Sequence, residues 1–403
     1  MNSPPSACGS AARRTKVFRP AKGVVFGFLG GDFVLFSEPR QNVYRFEPPS
    51  ASAWLSMSEG EAPGSIARRI ADEIQCSLER AEELILSWQS EWERLGLLGE
   101  SLAEPDERQI RNDDEPPCIP ASAELYHIAG TGIAISFPDD SSKHAWDAIA
   151  GHLRDTSGPA EIKLAVEPRD GGYRMIGPSG ERLDLANPAA VAVSLKESVL
   201  YALLERDSRW IALHAAAISA QSGSVLLAGS SGRGKTTLTA VLNTLGLPVI
   251  ADDVTLVSDA SLGIRGLPFA FAAKPGSWDV LRPRYPTLDQ LPEFERPDGR
   301  VVRYVKPSRI SGQAGPVSAV VFPQYSQATP LRITEMTKVA GLLSLLEEAV
   351  NAKRWLTGEG FVGLLAMVER ATVIGLEYDD VSAAAEWMKV NLAHTGQAGR
   401  NAF

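Results

Sequence analysis

The chain reads as an α/β nucleotide-phosphate-binding domain preceded by a small winged-helix-like α+β domain, and three observations predict this. Residues Gly229 to Thr236, GSSGRGKT, match the GxxxxGK[ST] phosphate-loop pattern and sit between an apolar strand-like run and a helix-like run. A second short apolar run downstream ends on Asp252-Asp253. Near the N-terminus, three β-like pieces precede three segments of helical periodicity.

The elements of the N-terminal domain, residues 20–99, follow from local pattern. Val24 to Leu29, Phe33 to Ser37 and Val43 to Phe46 are rich in strand-forming residues and are separated by Gly30-Gly31-Asp32 and Glu38-Pro39-Arg40-Gln41-Asn42. A first helix is expected over Ala51 to Met57. A second, Ser65 to Gln75, starts at a serine cap and carries Ile66, Ile70 and Ile74 at helical spacing. A third, Ser77 to Leu95, aligns Ala81, Leu84, Ile85, Trp88, Trp92 and Leu95 on one face and stops at Gly96. The second and third helices lack the dense basic face that DNA phosphate contacts require.

Residues 100–122 are crowded with charge and proline, from Glu104-Pro105-Asp106-Glu107 to Asn112-Asp113-Asp114-Glu115-Pro116-Pro117, and read as a self-repelling flexible linker. The larger domain spans 123–392. Its first part, 123–205, shows β-like pieces at Ile133 to Phe137, Ile162 to Val166 and Tyr173 to Ile176 and a helix over Pro188 to Glu205, and is expected to cover the nucleotide-binding core at 210–390. In the core, Ile211 to Ala228 reads as a hairpin turning at Gln221-Ser222-Gly223. Val317 to Phe322 reads as a further strand, and Lys338 to Ala349 and Val381 to Leu392 as closing helices.

The phosphate loop carries the chemistry. Ser224 to Ala228 forms the strand before it, and Thr237 to Leu242 belongs to the helix after it. Gly229, Ser230, Ser231, Gly232, Arg233 and Gly234 turn the backbone so that successive N–H groups and the helix N-terminus face the phosphates. Lys235 reaches the β- and γ-phosphates, the Thr236 hydroxyl takes a place on Mg²⁺, and Thr237 completes the nucleotide contacts. Seventeen positions separate Lys235 from Asp252. A helix of about three turns and a strand running back beside the first bring both carboxylates to the loop's edge of the sheet. Two acids beside a magnesium nucleotide divide naturally into a metal partner and a proton acceptor for an attacking hydroxyl.

Leu213-His214-Ala215-Ala216-Ala217, then GSSGRGKT, then Asp252-Asp253 resembles the kinase domain of the HPr kinase/phosphorylase family, whose nucleotide-binding core is related to that of phosphoenolpyruvate carboxykinases. The match is firm over about 210–258 and thins beyond. It implies an ATP- and Mg²⁺-dependent serine kinase with His214 near the phosphates, Lys235 and Thr236 on nucleotide and metal, and the Asp pair as base and metal partner; we assign Asp252 as base and Asp253, with Thr236, to the metal. By spacing alone His214 is equally a histidine on a strand of the hairpin. Lys274, Arg282, Arg284, Arg300, Arg303 and Lys306 are candidates for neutralising transition-state charge. The family's second glycine-containing substrate loop is not evident, so a one-way kinase is expected.

The N-terminal domain, with Val43-Tyr44-Arg45-Phe46 before Ser52-Ala53-Trp54-Leu55 and a closing Leu95-Gly96-Leu97-Leu98, is similar to the PqqD-like recognition elements of ribosomal peptide biosynthesis. That resemblance implies a leader peptide adding as a strand near Val43 to Phe46, beside the helix from Ser77. HPr kinase-like enzymes of lasso-peptide and related pathways phosphorylate a precursor serine, and a tethered leader-binding module would raise the local substrate concentration to about millimolar.

Composition frames these expectations. With 403 residues and 44% hydrophobic content the chain can build two or three cores. A net charge of −9 and a pI of about 5.3 argue against non-specific nucleic-acid binding and a polybasic membrane surface. Cys8, Cys76 and Cys118 lack metal-ligand spacing and suggest a reducing compartment. Without a signal peptide or a long apolar run, the expected location is the cytoplasm; a homo-oligomer is left open. Besides the peptide kinase, three functions are open: a regulatory kinase acting on a folded protein, a small-molecule kinase, and a nucleotide-gated leader-binding adaptor without catalysis.

Overall fold

The computed structural model describes residues 19–99, 120, 122–207, 210–258, 263–311, 315–350 and 356–393, in two units, Met1–Glu107 and Arg108–Phe403. Over these residues the fold is mixed α/β, with ten α-helices and several sheets, none of them a barrel. No described helix is long and apolar enough to cross a membrane. Most of the linker expected over 100–122 lies outside the described residues.

In the first unit, β1 (Val24–Leu29), β2 (Asp32–Ser37) and β3 (Asn42–Phe46) form an antiparallel sheet in the order β1-β2-β3. Three helices follow: α1 (Pro48–Ser58), α2 (Pro63–Ile74) and α3 (Leu78–Arg94). The register sets Phe33 opposite Phe28 and Phe46, and Leu35 opposite Phe26 and Tyr44, so strand alternation collects aromatic and aliphatic side chains on one face. That face packs on fully buried Trp54 of α1, whose ring lies 5.8 Å from Phe33, and on Trp92 of α3, stacked 5.4 Å from Phe46. Ser77 caps α3 by accepting from the Arg80 N–H (3.2 Å). Helix α2 departs from expectation: it begins at Pro63, not at a Ser65 cap. Proline has no N–H to satisfy and a φ already set for the first helical position.

The second unit opens with β4 (Glu124–Ile128), β5 (Thr131–Ser136), α4 (Asp140–Ala150), β6 (Ile162–Arg169), β7 (Gly172–Ile176), β8 (Arg182–Leu185) and α5 (Pro188–Arg206). Its five strands lie in sequence order, all antiparallel except β5 and β6, which α4 joins as a parallel crossover. Buried Tyr126, Trp146, Leu164 and Leu195 anchor the core between this sheet and its two helices.

The remaining strands are β9 (Trp210–Leu213), β10 (Ala215–Ala220), β11 (Gly223–Ala228), β12 (Val249–Ala251), β13 (Thr255–Ser258), β14 (Ile264–Gly266), β15 (Phe271–Ala273), β16 (Phe294–Glu295), β17 (Val301–Val305), β18 (Val317–Tyr325), β19 (Arg332–Glu335) and β20 (Thr372–Tyr378). The helices are α6 (Lys235–Thr244), α7 (Pro275–Leu281), α8 (Lys338–Glu347), α9 (Gly358–Arg370) and α10 (Val381–Met388). The central six-stranded sheet runs β12-β10-β11-β18-β20-β19, with α6 and α10 packed against it. Strands β11, β18 and β20 are mutually parallel, and β12, antiparallel to β10, points the same way. Their C-terminal ends therefore share one edge, where ligands of open α/β sheets bind.

Two expectations need correction. The strand that follows α6, β12, does not lie beside β11 as expected, because the hairpin strand β10 is inserted between them. The expected hairpin from Ile211 starts only at Ala215. Trp210–Leu213 pairs instead with β13, so the chain changes sheets at His214.

Candidate functional site

The site is built on the C-terminal edge of the central sheet. Strand β11 ends at Ala228, the loop from Gly229 follows, and Gly234 caps α6 at a left-handed φ of 96°. A Cβ there would meet the Tyr378 hydroxyl at 2.5 Å, so sterics as well as backbone conformation reserve the position for glycine. Lys235, only 6% exposed, folds over its own loop and donates to the carbonyls of Gly229 and Ser230. Burial lowers its pKa despite the nearby carboxylates of Glu348, Asp253 and Asp252.

The acid pair follows β12, a buried Val-Ile-Ala strand. Behind it, Gly266 of β14 lies so close that a Cβ would sit 1.9 Å from the Ile250 carbonyl, so any side chain there would displace the strand that delivers the acids. The two carboxylates then meet different surroundings. Asp252 is 5% exposed; its Oδ2 accepts from the Thr236 hydroxyl at 3.4 Å, and its Oδ1 is buried without a hydrogen-bond partner. Burial first, and the neighbouring Asp253 charge second, raise its pKa to about 7.

Asp253 has a 37% exposed side chain and two partners: Lys196 of α5 donates to Oδ2 at 2.5 Å, and His214 Nδ1 lies 3.3 Å from Oδ1. The Lys196 ammonium holds the Asp253 carboxyl far below the usual carboxylate range. Burial acts to lower the pKa of Lys196 itself, but Asp253 overrides it and the net shift is upward. His214, whose N–H donates to the Glu348 carbonyl at 2.7 Å, has its pKa lowered by burial, so its imidazole is neutral at neutral pH. The expected site residues thus fall into two groups, Thr236 with Asp252 and His214 with Asp253. Lys235 lies between them electrostatically.

Of the six candidate cations, two reach the loop. Lys274, after β15, and Arg300 both donate to the Ser231 hydroxyl, at 3.4 and 3.3 Å. Burial, then Arg300 and Arg296, lower the pKa of Lys274, the mark of cations gathered without full compensation. Arg282 pairs with Asp279 and Asp289, Arg303 with Asp289 and Glu293, and Arg284 bonds the Val280 carbonyl and Ser382. Lys306 acts electrostatically on His152. Arg296, absent from the sequence candidates, has a buried Nε without a hydrogen-bond partner.

Lys196 is the partner of the acid pair most clearly missed from sequence. Its signal was present, since it stands four residues after Ala192 and three before Val199, a lysine on the apolar stripe of α5. No protein-family model matches the chain, and no curated protein matches its sequence.

These residues fit a magnesium nucleotide. The orphaned Asp252 oxygen beside Thr236 is an unfilled acceptor in a buried place, next to a loop whose amides can cradle phosphate. Among the described residues no three His, Cys, Asp or Glu side chains cluster into a self-sufficient metal site. Magnesium needs none, because it is commonly held by one or two carboxylates together with substrate phosphates.

Proposed function

We propose that the chain is an ATP- and Mg²⁺-dependent kinase that phosphorylates a serine or threonine hydroxyl of a ribosomally made precursor peptide recruited through its leader. On this reading, Arg108–Phe403 contains an HPr kinase/phosphoenolpyruvate carboxykinase-like core and Met1–Glu107 a PqqD-like recognition domain. The observation that carries the proposal is the meeting, at one sheet edge, of the phosphate loop, the Thr236–Asp252 pair and an accessible carboxylate held by Lys196 and His214.

The division of labour follows from burial. Thr236 and Asp252 would hold Mg²⁺, which when bound neutralises charge on the β- and γ-phosphate oxygens. The loop amides bind phosphate, and Lys235 exchanges its loop carbonyls for phosphate oxygens. Lys274 and Arg300 stabilise charge on the γ-phosphoryl group. Asp253, ionised and open to a substrate, accepts the hydroxyl proton as the hydroxyl oxygen bonds to phosphorus and ADP leaves. Lys196 and His214 keep the Asp253 carboxylate oriented. This reverses the assignment made from sequence: Asp252, 5% exposed, has little access to a peptide hydroxyl.

Strand β3 is an edge strand whose Phe46 stacks on Trp92 of α3. A leader peptide adding there would gain main-chain hydrogen bonds from β3 and side-chain pockets beside α3.

The test is incubation of the protein, wild type and Lys235→Ala, with Mg²⁺ and γ-labelled ATP in a size-fractionated lysate of its own source. Wild-type-dependent label in a short peptide, lost on deleting residues 1–107, supports the proposal. Label in a folded protein points to a regulatory kinase and label in a metabolite to a small-molecule kinase. Nucleotide binding without any label leaves the leader-binding adaptor.

A further inference from the structure

Two tyrosines flank the phosphate loop on the side away from the acids. Tyr325 is the last residue of β18 and Tyr378 the last of β20, directly opposite each other in register, with ring centroids 6.1 Å apart in a T-shaped arrangement. Both are tied to the loop. The Tyr325 N–H donates to the Arg233 carbonyl at 3.1 Å, and the Tyr378 hydroxyl, buried without a partner, abuts Gly234. Tyr378 is buried beneath the loop, whereas Tyr325 is 50% exposed.

The sheet order gives this site a direction. Strand β12, with Asp252 and Asp253 after it, lies two places to one side of β11, whereas β18 and β20 lie one and two places to the other. His214, Lys196, Lys274 and Arg300 act on the acids or on Ser231, none of them on the tyrosines. A phosphate chain whose terminal group faces Asp253 therefore runs across the loop toward the C-terminal end of β18. What it carries at its other end meets the exposed ring of Tyr325.

We infer that Tyr325 is the stacking platform for the nucleobase, with Tyr378 bracing it from below against Gly234. The inference rests on the reading of the loop as a nucleotide site and adds to it where the base lies and which side chain holds it. Aromatic side chains suit that task because every nucleobase presents a π-face, and the phenol ring has few rotamers to lose on binding.

Calorimetric titration of Mg-ATP and of Mg-tripolyphosphate separates the inference from the reading beneath it, because tripolyphosphate has phosphates but no base. With Tyr325→Ala, Mg-ATP is expected to bind about tenfold more weakly, toward the low end of measured base stacking, and Mg-tripolyphosphate within about twofold of wild type. Tyr325→Phe, which keeps the ring, is expected to bind both as wild type does. Unchanged tripolyphosphate binding also reports that the loop of the alanine variant is intact. Equal loss of both ligands, or unchanged Mg-ATP binding, overturns the inference. Failure of wild type to bind either ligand refutes the phosphate-site reading, and the inference with it.

Discussion

Asp252→Asn is expected to stabilise the second unit and to abolish phosphoryl transfer, and the stabilisation follows from the carboxylate's surroundings. Burial and the Asp253 charge raise the native pKa from 3.8 to about 7. Below the unfolded value, both states are neutral. Between pH 3.8 and 7 the native state keeps a proton that the unfolded state has lost, so stability falls as pH rises, and above 7 the loss is complete. About three pH units at 1.36 kcal/mol each set a ceiling of about 4 kcal/mol on the strain that the neutral amide removes. The asparagine keeps an oxygen for Thr236 but places an amide where Oδ1 has no partner, which returns about 1–3 kcal/mol of that gain. A net gain of about 1–3 kcal/mol above pH 7 corresponds to roughly 2–10 °C in unfolding temperature. The assay is thermal unfolding of wild type and Asp252→Asn, without nucleotide or metal, at pH 5, 7 and 8.5. The difference should grow across the series. A variant no more stable than wild type at pH 8.5, or a difference that shrinks as pH rises, refutes the account of Asp252 as a carboxylate whose burial and neighbouring Asp253 charge outweigh its compensating partners.

Three further outcomes are expected. Lys196→Met removes the cation on Asp253 without touching the loop, so transfer should fall by about 100-fold while Mg-ATP binding, read by calorimetry, stays within about threefold. Gly234→Ala should weaken Mg-ATP binding at least about tenfold, because its Cβ meets the Tyr378 hydroxyl and a left-handed alanine costs about 1–2 kcal/mol; adding Tyr378→Phe should recover part of the loss by removing the clashing atom. Trp54→Ala should cost the first unit about 3–5 kcal/mol, seen as an early melting phase by circular dichroism, with Mg-ATP binding retained.

What was legible in the sequence was local. The glycine turn between Gly229 and Gly234, the strand before it and the helix after it stand as read, because glycine spacing and apolar runs act over a few residues. The hairpin turn before Gly223 and the start of α5 at Pro188 were legible for the same reason. Strand neighbours were not. That β10 would part β11 from β12, and that Trp210–Leu213 would join another sheet, depends on pairing across long stretches of chain and leaves no local mark. The partners of the acids were hidden similarly, since Lys196 approaches from a helix 57 positions away. Of the cations between Phe271 and Arg309, composition could not separate Lys274 and Arg300, which face Ser231, from Arg282 and Arg303, which neutralise acids close to them in sequence. Ser65 misled because proline's backbone preference outweighs a serine cap two positions later.

The bond from α5 to Asp253 bears on how the second unit can be divided. The five-stranded sheet and its helices look like a cover that truncation could remove, since the phosphate loop and both acids lie beyond residue 210. Yet the ammonium that offsets the Asp253 charge belongs to that cover, and so does the stem that carries it past the ring of Phe269 at 5.7 Å. A fragment starting at β9 would retain the loop while losing the ammonium nearest the Asp253 carboxylate, leaving His214 as the side chain still beside it. On the proposed reading such a fragment would still bind a nucleotide but would offer the substrate hydroxyl a carboxylate stripped of its ammonium, so the smallest piece of this unit expected to transfer phosphate begins before α5, not at β9.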